Sequence, residues 1–285
     1  MRDQWSGTLI LVFQPAEERS GGAQRMVQDG LYDRINAVPD LLLGQHVGPQ
    51  RSGYMGMVPG VQLTASDTLH ITLHGRGGHA SMPNVTVDPI VMMAACILRL
   101  QTIVSREIDS ANEFAVVTVG QVSAGDGSNI IPTEASFKVN IRTIDEGVRN
   151  RVLASIRRIV FAEAEASDAP QDPSIELTSS HPATFNHPKL TEILGRTFGQ
   201  VFGESFRPQD FGMANASEDF PMLAKSIRKP YVYWSFGGTD PSLFDEAMGD
   251  TRRIPSNHSP YFAPVMESLI VGVDAMTAAA LTFLR

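Results

Sequence analysis

Gly7-Thr8-Leu9-Ile10-Leu11-Val12-Phe13, running directly into Gln14-Pro15-Ala16-Glu17-Glu18, is the stretch on which the fold reading turns. A short uninterrupted apolar run of this kind predicts a strand covered on both faces, as in a parallel sheet. Gly21 and Gly22 then lead into AQRMVQDGLYD, where Met26, Val27 and Leu31 fall at helical spacing and a glycine stands near the end. A second apolar run, Asp40-Leu41-Leu42-Leu43-Gly44, closes on Gln45-His46-Val47. Strand, helix and strand make a βαβ unit. Both predicted strands carry polar residues at their C-terminal ends, the edge of an open α/β sheet where ligands sit.

Outward from this unit the texture changes near Ser66, where Thr68 to His74 alternate as in a half-buried strand. A helix is predicted from Asp88 to about Ser105, strands over 114–121 and 135–142, a helix from Asp145 to about Ala166, and a strand over 175–178. The order β-α-β-β-α-β is the ferredoxin-like arrangement, a self-contained module. After His181-Pro182 the α/β texture returns, with helices over 189–202 and 264–283 and a strand over 231–236. The expectation is therefore an α/β domain of residues 1–65 and 181–285, interrupted by an inserted α+β module of residues 66–180.

Composition narrows the function classes. A chain of 285 residues can bury two modest cores, and its 42% apolar content is that of a globular protein. The formal charge of -8 argues against a nucleic-acid partner, because phosphate binding draws on clustered Lys and Arg. No run of 18 or more apolar residues stands in the sequence, so no membrane partner is expected. The first residues lack the pattern of a secretory signal, which points to a cytoplasmic protein. Cys96 is the only cysteine and lies in the apolar helical run IVMMAACILRL, the setting of a packed core thiol rather than a reactive one.

Several residues could carry chemistry. Adjacent carboxylates at the end of a buried strand, Glu17 and Glu18, repel each other and call for a positive neighbour; an exposed acidic loop is the plainer alternative. His46, at the end of the next predicted strand, could share a metal with that loop, and imidazole with carboxylate suits zinc, manganese, cobalt or nickel. A lone histidine is more often structural. His258, in the polar loop Ser256-Asn257-His258-Ser259-Pro260, is either a further ligand or a surface histidine. In the module, Gly75-Arg76-Gly77-Gly78-His79-Ala80-Ser81 lets backbone approach a ligand closely, yet it lacks phosphate-loop spacing. Gly125 to Pro132, which includes Asn129, is a turn between strands, and Arg142 could clamp a carboxylate or cap the surface.

Taken together and in order, PAEE, GQHV, GRGGHASMP, GDGSNIIPTEASFKVNIRT, ASEDF and NHSPYF resemble the M20 peptidase family, in its branch of hippurate and auxin-conjugate hydrolases. The resemblance runs from about Gly7 to the C-terminus. It implies a zinc-peptidase-like catalytic α/β domain with an inserted ferredoxin-like lid that dimerises, hence a homodimer. It further implies Glu17 as general base, Glu18, His46 and His258 as metal ligands, and His79 as a lid histidine that stabilises an oxyanion in the partner subunit's site. Asn129 and Arg142 would hold the substrate's amide or carboxylate, while Glu218 and Asp219 would lie near the site. Two divalent ions are expected by the same resemblance, and the implied reaction is hydrolysis of the amide bond of a small N-acyl amino acid.

One family feature has no counterpart here. The upstream Cys-Gly-His-Asp-x-His segment, which supplies two further ligands, is absent, so impaired hydrolysis is expected of these 285 residues. Two alternatives follow: a catalytically silent carboxylate-binding or dimerisation protein, and a related cleavage of dipeptides or carbamoyl compounds on the same scaffold.

Overall fold

The structure is a computed structural model that describes residues 5–17 and 21–284. In chain order its elements are α1 (Gly22–Gln28), α2 (Leu31–Arg34), β1 (Leu42–Arg51), β2 (Met55–Gly56), β3 (Gly60–Leu63), β4 (Ala65–His74) and β5 (Gly78–His79). There follow α3 (Pro89–Thr102), β6 (Ala115–Ala124), β7 (Ile130–Ile131), β8 (Glu134–Thr143), α4 (Glu146–Ala166), β9 (Ser174–His181) and β10 (Thr184–Asn186). The last are α5 (Pro188–Phe202), α6 (Pro221–Ser226), β11 (Tyr231–Thr239), α7 (Pro241–Glu246) and α8 (Met266–Phe283). They divide into two units: Met1–Leu63 with Thr184–Ala214 and Glu218–Arg285, and Thr64–Ala183 with Asn215–Ser217.

In the second unit, β4, β6, β8 and β9 form an antiparallel sheet in the order β6-β8-β4-β9. With α3 and α4 as crossovers this is the β-α-β-β-α-β connection. Alternation explains which face packs: Leu69, Ile71 and Leu73 of β4 and Ala135, Phe137, Val139 and Ile141 of β8 are buried against both helices. The helices contribute Met92, Cys96 and Leu100 from α3 and Val152, Ile156 and Ile159 from α4. Their starts are set locally. The side chain of Asp88 accepts from Ile90 N with Pro89 at the first helical position, and that of Asp145 accepts from Val148 N. The intervening residues Ser136, Lys138, Asn140 and Arg142 stand on the opposite face, beside Ser66, Thr68, His70 and Thr72 of β4.

The first unit is built on β1 and β11, parallel from Leu42↔Tyr231 to Gly48↔Gly237, with β2 antiparallel on the far side of β11. Helices α5 and α8 cover this sheet, packing Leu194, Phe198, Ala275 and Ala279 against Met55, Val232 and Trp234. Phe198 and Trp234 meet edge to face, centroids 5.3 Å apart at 74°.

The strand expected over Gly7–Phe13 does not form. Residues 7–13 pair with no strand, and Leu9, Leu11 and Phe13 are 51%, 69% and 86% exposed. A strand exists only through a hydrogen-bonded neighbour. The parallel partner of β1 is β11, nearly two hundred residues on, and β1 is an edge of its sheet. His46 accordingly lies inside β1 rather than at its end. The helix expected in AQRMVQDGLYD is broken at Gly30, whose φ of 78° is left-handed.

Two helical stretches, Pro89–Glu107 and Met266–Phe283, are long and apolar enough by composition to cross a membrane. Each puts one face into a core described above, Met92, Cys96 and Leu100 on the first and Ala275 and Ala279 on the second.

Candidate metal centre and carboxylate clamp

In the first unit the loop that follows the apolar N-terminal run is held from both flanks. Asp219 accepts from the Gln14 side-chain amide and, through its other oxygen, from Ala23 N at 3.0 Å. Ala16 turns the chain with a left-handed φ of 55°. Gly22 packs so tightly that a Cβ there would lie 1.7 Å from the Pro15 carbonyl oxygen, and this is why the loop needs glycine at that position. Glu17 emerges from this loop beside Glu218 and Asp219, with carboxylate oxygens of all three within 4.8 Å of one another. Glu18 lies outside the described residues.

Glu218 is buried and fully engaged: Oε1 accepts from Asp219 N and Phe220 N, and Oε2 accepts from the Tyr233 hydroxyl at 3.0 Å. Burial pushes its carboxyl above the usual range. The Phe220 amide, the Tyr233 hydroxyl and the charge of His46 act against that shift. Burial likewise drives the Tyr233 phenol well above its ordinary value, and the charges of Glu218 and Glu17 add to it, so Tyr233 stands as a neutral donor. These relations place His46 of β1 and Glu17 around one buried carboxylate–phenol pair.

His46 is oriented by its own backbone. Its Nδ1 lies 2.6 Å from Val47 O, which makes Nδ1 the protonated nitrogen and leaves Nε2 as a lone-pair donor. The same carbonyl accepts from Asn257 Nδ2 at 3.0 Å, so the residue before His258 is tied to the residue after His46. His258 itself has φ 69°, a left-handed conformation that non-glycine residues adopt where surrounding structure imposes it. The donor set fits a divalent cation. The Val47 carbonyl holds His46 by Nδ1, which leaves Nε2 to coordinate, the same carbonyl holds Asn257, the residue before His258, and the carboxylates of Glu17, Glu218 and Asp219 converge.

In the second unit, His79 and Asn129 are neighbours. Residues Gly78–His79 pair with Ile130–Ile131, and Ala80 N donates to Asn129 O at 3.0 Å. His79 is exposed, with its Nδ1 2.7 Å from Ser81 Oγ and 3.1 Å from Ser81 N. Arg142 is not part of this group. The β5–β7 ribbon adjoins the end of the sheet where His74 pairs with Glu134, and Arg142 lies eight residues further along β8, opposite Ser66. At about 3.3 Å per residue that is a separation of roughly 25 Å. Arg142 is half-buried and its Nη1 is a buried donor without an acceptor; burial holds its guanidinium below the usual arginine value.

Residues that sequence reasoning did not assign complete the picture. Asp219 grips the Glu17 loop, Tyr233 donates to Glu218, and Asn257 tethers the His258 loop. Only the Glu218-Asp219 pair carried a signal, through its motif, and that signal named no partner.

Comparison with known proteins defines the class. Residues 1–282 match the model of peptidase family M20/M25/M40, and the chain belongs to this family. Among curated relatives it is similar to a hippurate hydrolase of Campylobacter jejuni, 33% identical over 232 residues, which cover 80% of this chain and 59% of that one. It is also similar to an N-acetyl-L-cysteine deacetylase of Bacillus subtilis, 37% identical over 84% of this chain and 55% of the relative. The IAA-amino acid hydrolase ILR1-like 4 of Arabidopsis thaliana is 30% identical over 99% of this chain and 61% of the relative. The chain thus spans less than two thirds of the length of these relatives. Its fold is that of a dinuclear metal binding peptidase of the M20 family from Bacillus subtilis, with TM-score 0.75 and 23% identity over 99% of this chain and 67% of that one.

Proposed function

We propose that the protein hydrolyses the amide bond of N-acyl amino acids with the help of a divalent metal, zinc, manganese, cobalt or nickel. The observation that carries this reading is the Val47 carbonyl, which orients His46, whose charge acts on Glu218 in the acidic cluster that includes Glu17, and which also holds Asn257, the residue before His258. Glu18, His46 and His258 are the proposed ligands. A divalent ion bound there supplies Lewis acidity toward the scissile carbonyl and the attacking water.

The chain's own groups carry the proton. Glu17, standing beside the carboxylates of Glu218 and Asp219, takes it from the attacking water and returns it to the leaving amine. Glu218, beside Glu17, is itself held by the Tyr233 hydroxyl. Arg142 meets the free carboxylate of the substrate, which favours amino-acid amides over simple amides.

The separation within the second unit supports a homodimeric enzyme. A group roughly 25 Å from Arg142 along the sheet does not reach the same small substrate, so the two ends of the sheet serve different sites; in this reading His79 and Asn129 donate to the oxyanion and the amide in the site of a second copy. The names of the relatives, which include N-acetyl and N-acyl amino acid hydrolases, agree with this substrate class. A second reading, a carboxylate-binding protein without turnover, is favoured by the fact that the setting of Arg142 is complete within its own unit.

Metal stoichiometry by mass spectrometry, measured beside hydrolysis of N-acetyl and N-benzoyl amino acids, decides between the two. The chain is expected to hold metal and turn over substrate at a reduced rate, since it lacks the two ligands of the Cys-Gly-His-Asp-x-His segment. Glu17→Gln is expected to hold metal and lose about 10²-fold or more in kcat. A wild-type chain that binds N-acyl amino acids without metal or turnover would leave the binding reading standing.

A further inference from the structure

Arg142 offers two planar edges for bidentate recognition of a carboxylate, one formed by Nε with an Nη and one by the two Nη groups. The first is taken. Arg142 Nε donates to Asn140 Oδ1 at 3.1 Å, and the Asn140 amide is anchored on the other side, where Nδ2 lies 3.2 Å from Ser66 Oγ, 3.3 Å from Thr68 Oγ1 and 3.4 Å from Asp67 O. This network also fixes the amide's orientation, since only the oxygen can accept from Nε and only the nitrogen can donate to the Asp67 carbonyl oxygen. The backbone beneath is rigid. Asn140 sits opposite Thr68 and Arg142 opposite Ser66 in an unbroken antiparallel register, and Val139 and Ile141, which alternate with them, are fully buried. Nη1 meanwhile is buried with no acceptor, and no carboxylate pairs with Arg142 among the described residues.

We infer that Asn140 is a positioning residue for the Arg142 clamp: it occupies Nε and so presents the Nη1–Nη2 edge to the ligand's carboxylate, selecting planar carboxylates that bind end-on. The inference rests on the reading of Arg142 as the carboxylate clamp. It goes further by naming the edge that binds and the residue that decides it. A buried donor without an acceptor gains more from an anion than an exposed one does, because its desolvation has already been incurred.

The test is calorimetric binding of N-acetyl-L-phenylalanine and of N-acetyl-L-phenylalaninamide, ligands that differ in the carboxylate alone. Wild type is expected to prefer the acid by about 10- to 100-fold, the range of a hydrogen bond to a charged group. Arg142→Met is expected to abolish the preference. Asn140→Ala is expected to lose most of it while affinity for the amide stays within about twofold. Asn140→Asp, which places a competing carboxylate against the guanidinium, is expected to remove the preference while affinity for the amide is kept, a split that a merely structural role would not produce. If Asn140→Ala and Asn140→Asp both keep the wild-type preference while Arg142→Met loses it, Asn140 does not position the clamp and the reading of Arg142 stands. If wild type shows no preference, or Arg142→Met retains it, the clamp reading fails and the inference with it.

Discussion

Replacing Arg149 with methionine probes what holds the second unit in register. Asp67 is 1% exposed and gives both oxygens to Arg149, Oδ2 to Nε at 2.6 Å and Oδ1 to Nη2 at 2.8 Å, while the Arg149 side chain is 18% exposed. The hydrogen bond to Asp67 raises the Arg149 pKa despite the opposing effect of burial, so the guanidinium is charged at every accessible pH. Removing one partner of a buried pair leaves the other charge uncompensated, at a cost of about 3–5 kcal/mol. An exposed pair contributes about 0–1 kcal/mol, and the accompanying loss of the contact to Glu146, whose side chain is 70% exposed, belongs to that minor class. At about 2–4 °C per kcal/mol for a chain of this size, Arg149→Met is expected to lower Tm by roughly 6–20 °C. Circular dichroism during heating and in urea measures it. Adding Asp67→Asn to the same chain removes the orphaned charge and is expected to recover most of the loss. A single variant within about 1 kcal/mol of wild type, or a double variant no better than the single, would refute the reasoning. The pair bears on function as well, because Asp67 stands between Ser66 and Thr68, whose side chains anchor Asn140.

Three further outcomes are expected. Burial, with the charge of Glu163 adding to it, pushes the Cys96 thiol up to about 12, so dithionitrobenzoate at pH 8 should leave the native chain unlabelled and label one thiol after unfolding; rapid native labelling would contradict the packing of α3. Burial raises the Glu218 carboxyl above the usual carboxylate range, so its contribution to stability is fully present below that range and is lost as pH rises through the raised value. In metal-free urea titrations, Glu218→Gln should therefore flatten the decline in stability on the alkaline side of pH 4.5, and identical pH profiles would count against the assignment. If His79 serves the site of a second copy, mixing Glu17→Gln with His79→Ala subunits should restore roughly one quarter of wild-type activity, since half of the dimers are mixed and each holds one intact site. Failure of two inactive variants to complement after subunit exchange would argue for sites contained within one chain.

What could be read along the chain was whatever depends on near neighbours. Alternation in Thr68–His74 marked which side chains pack and which face away, and the structure buries Leu69, Ile71 and Leu73 accordingly. Asp88-Pro89 and Asp145 announced two helix starts, because a cap acts within three residues of its helix. His46, His258 and Glu17 were legible as candidates through their motifs; the structure holds His46 and Asn257, the neighbour of His258, on one carbonyl and sets Glu17 beside Glu218 and Asp219.

The tertiary structure decided what depends on distant pairing. GTLILVF has the composition of a buried strand, yet composition cannot supply a partner, and the described chain pairs β1 with β11 instead. Asp219 reaches Ala23 across 196 residues and Asn257 reaches Val47 across 210, separations over which no local pattern carries information. Arg142, His79 and Asn129 belong to one module and look like one cluster in sequence. Only the register of β8 against β4 shows that they stand at opposite ends of a sheet, because distance along a strand grows with every residue while membership of a motif does not.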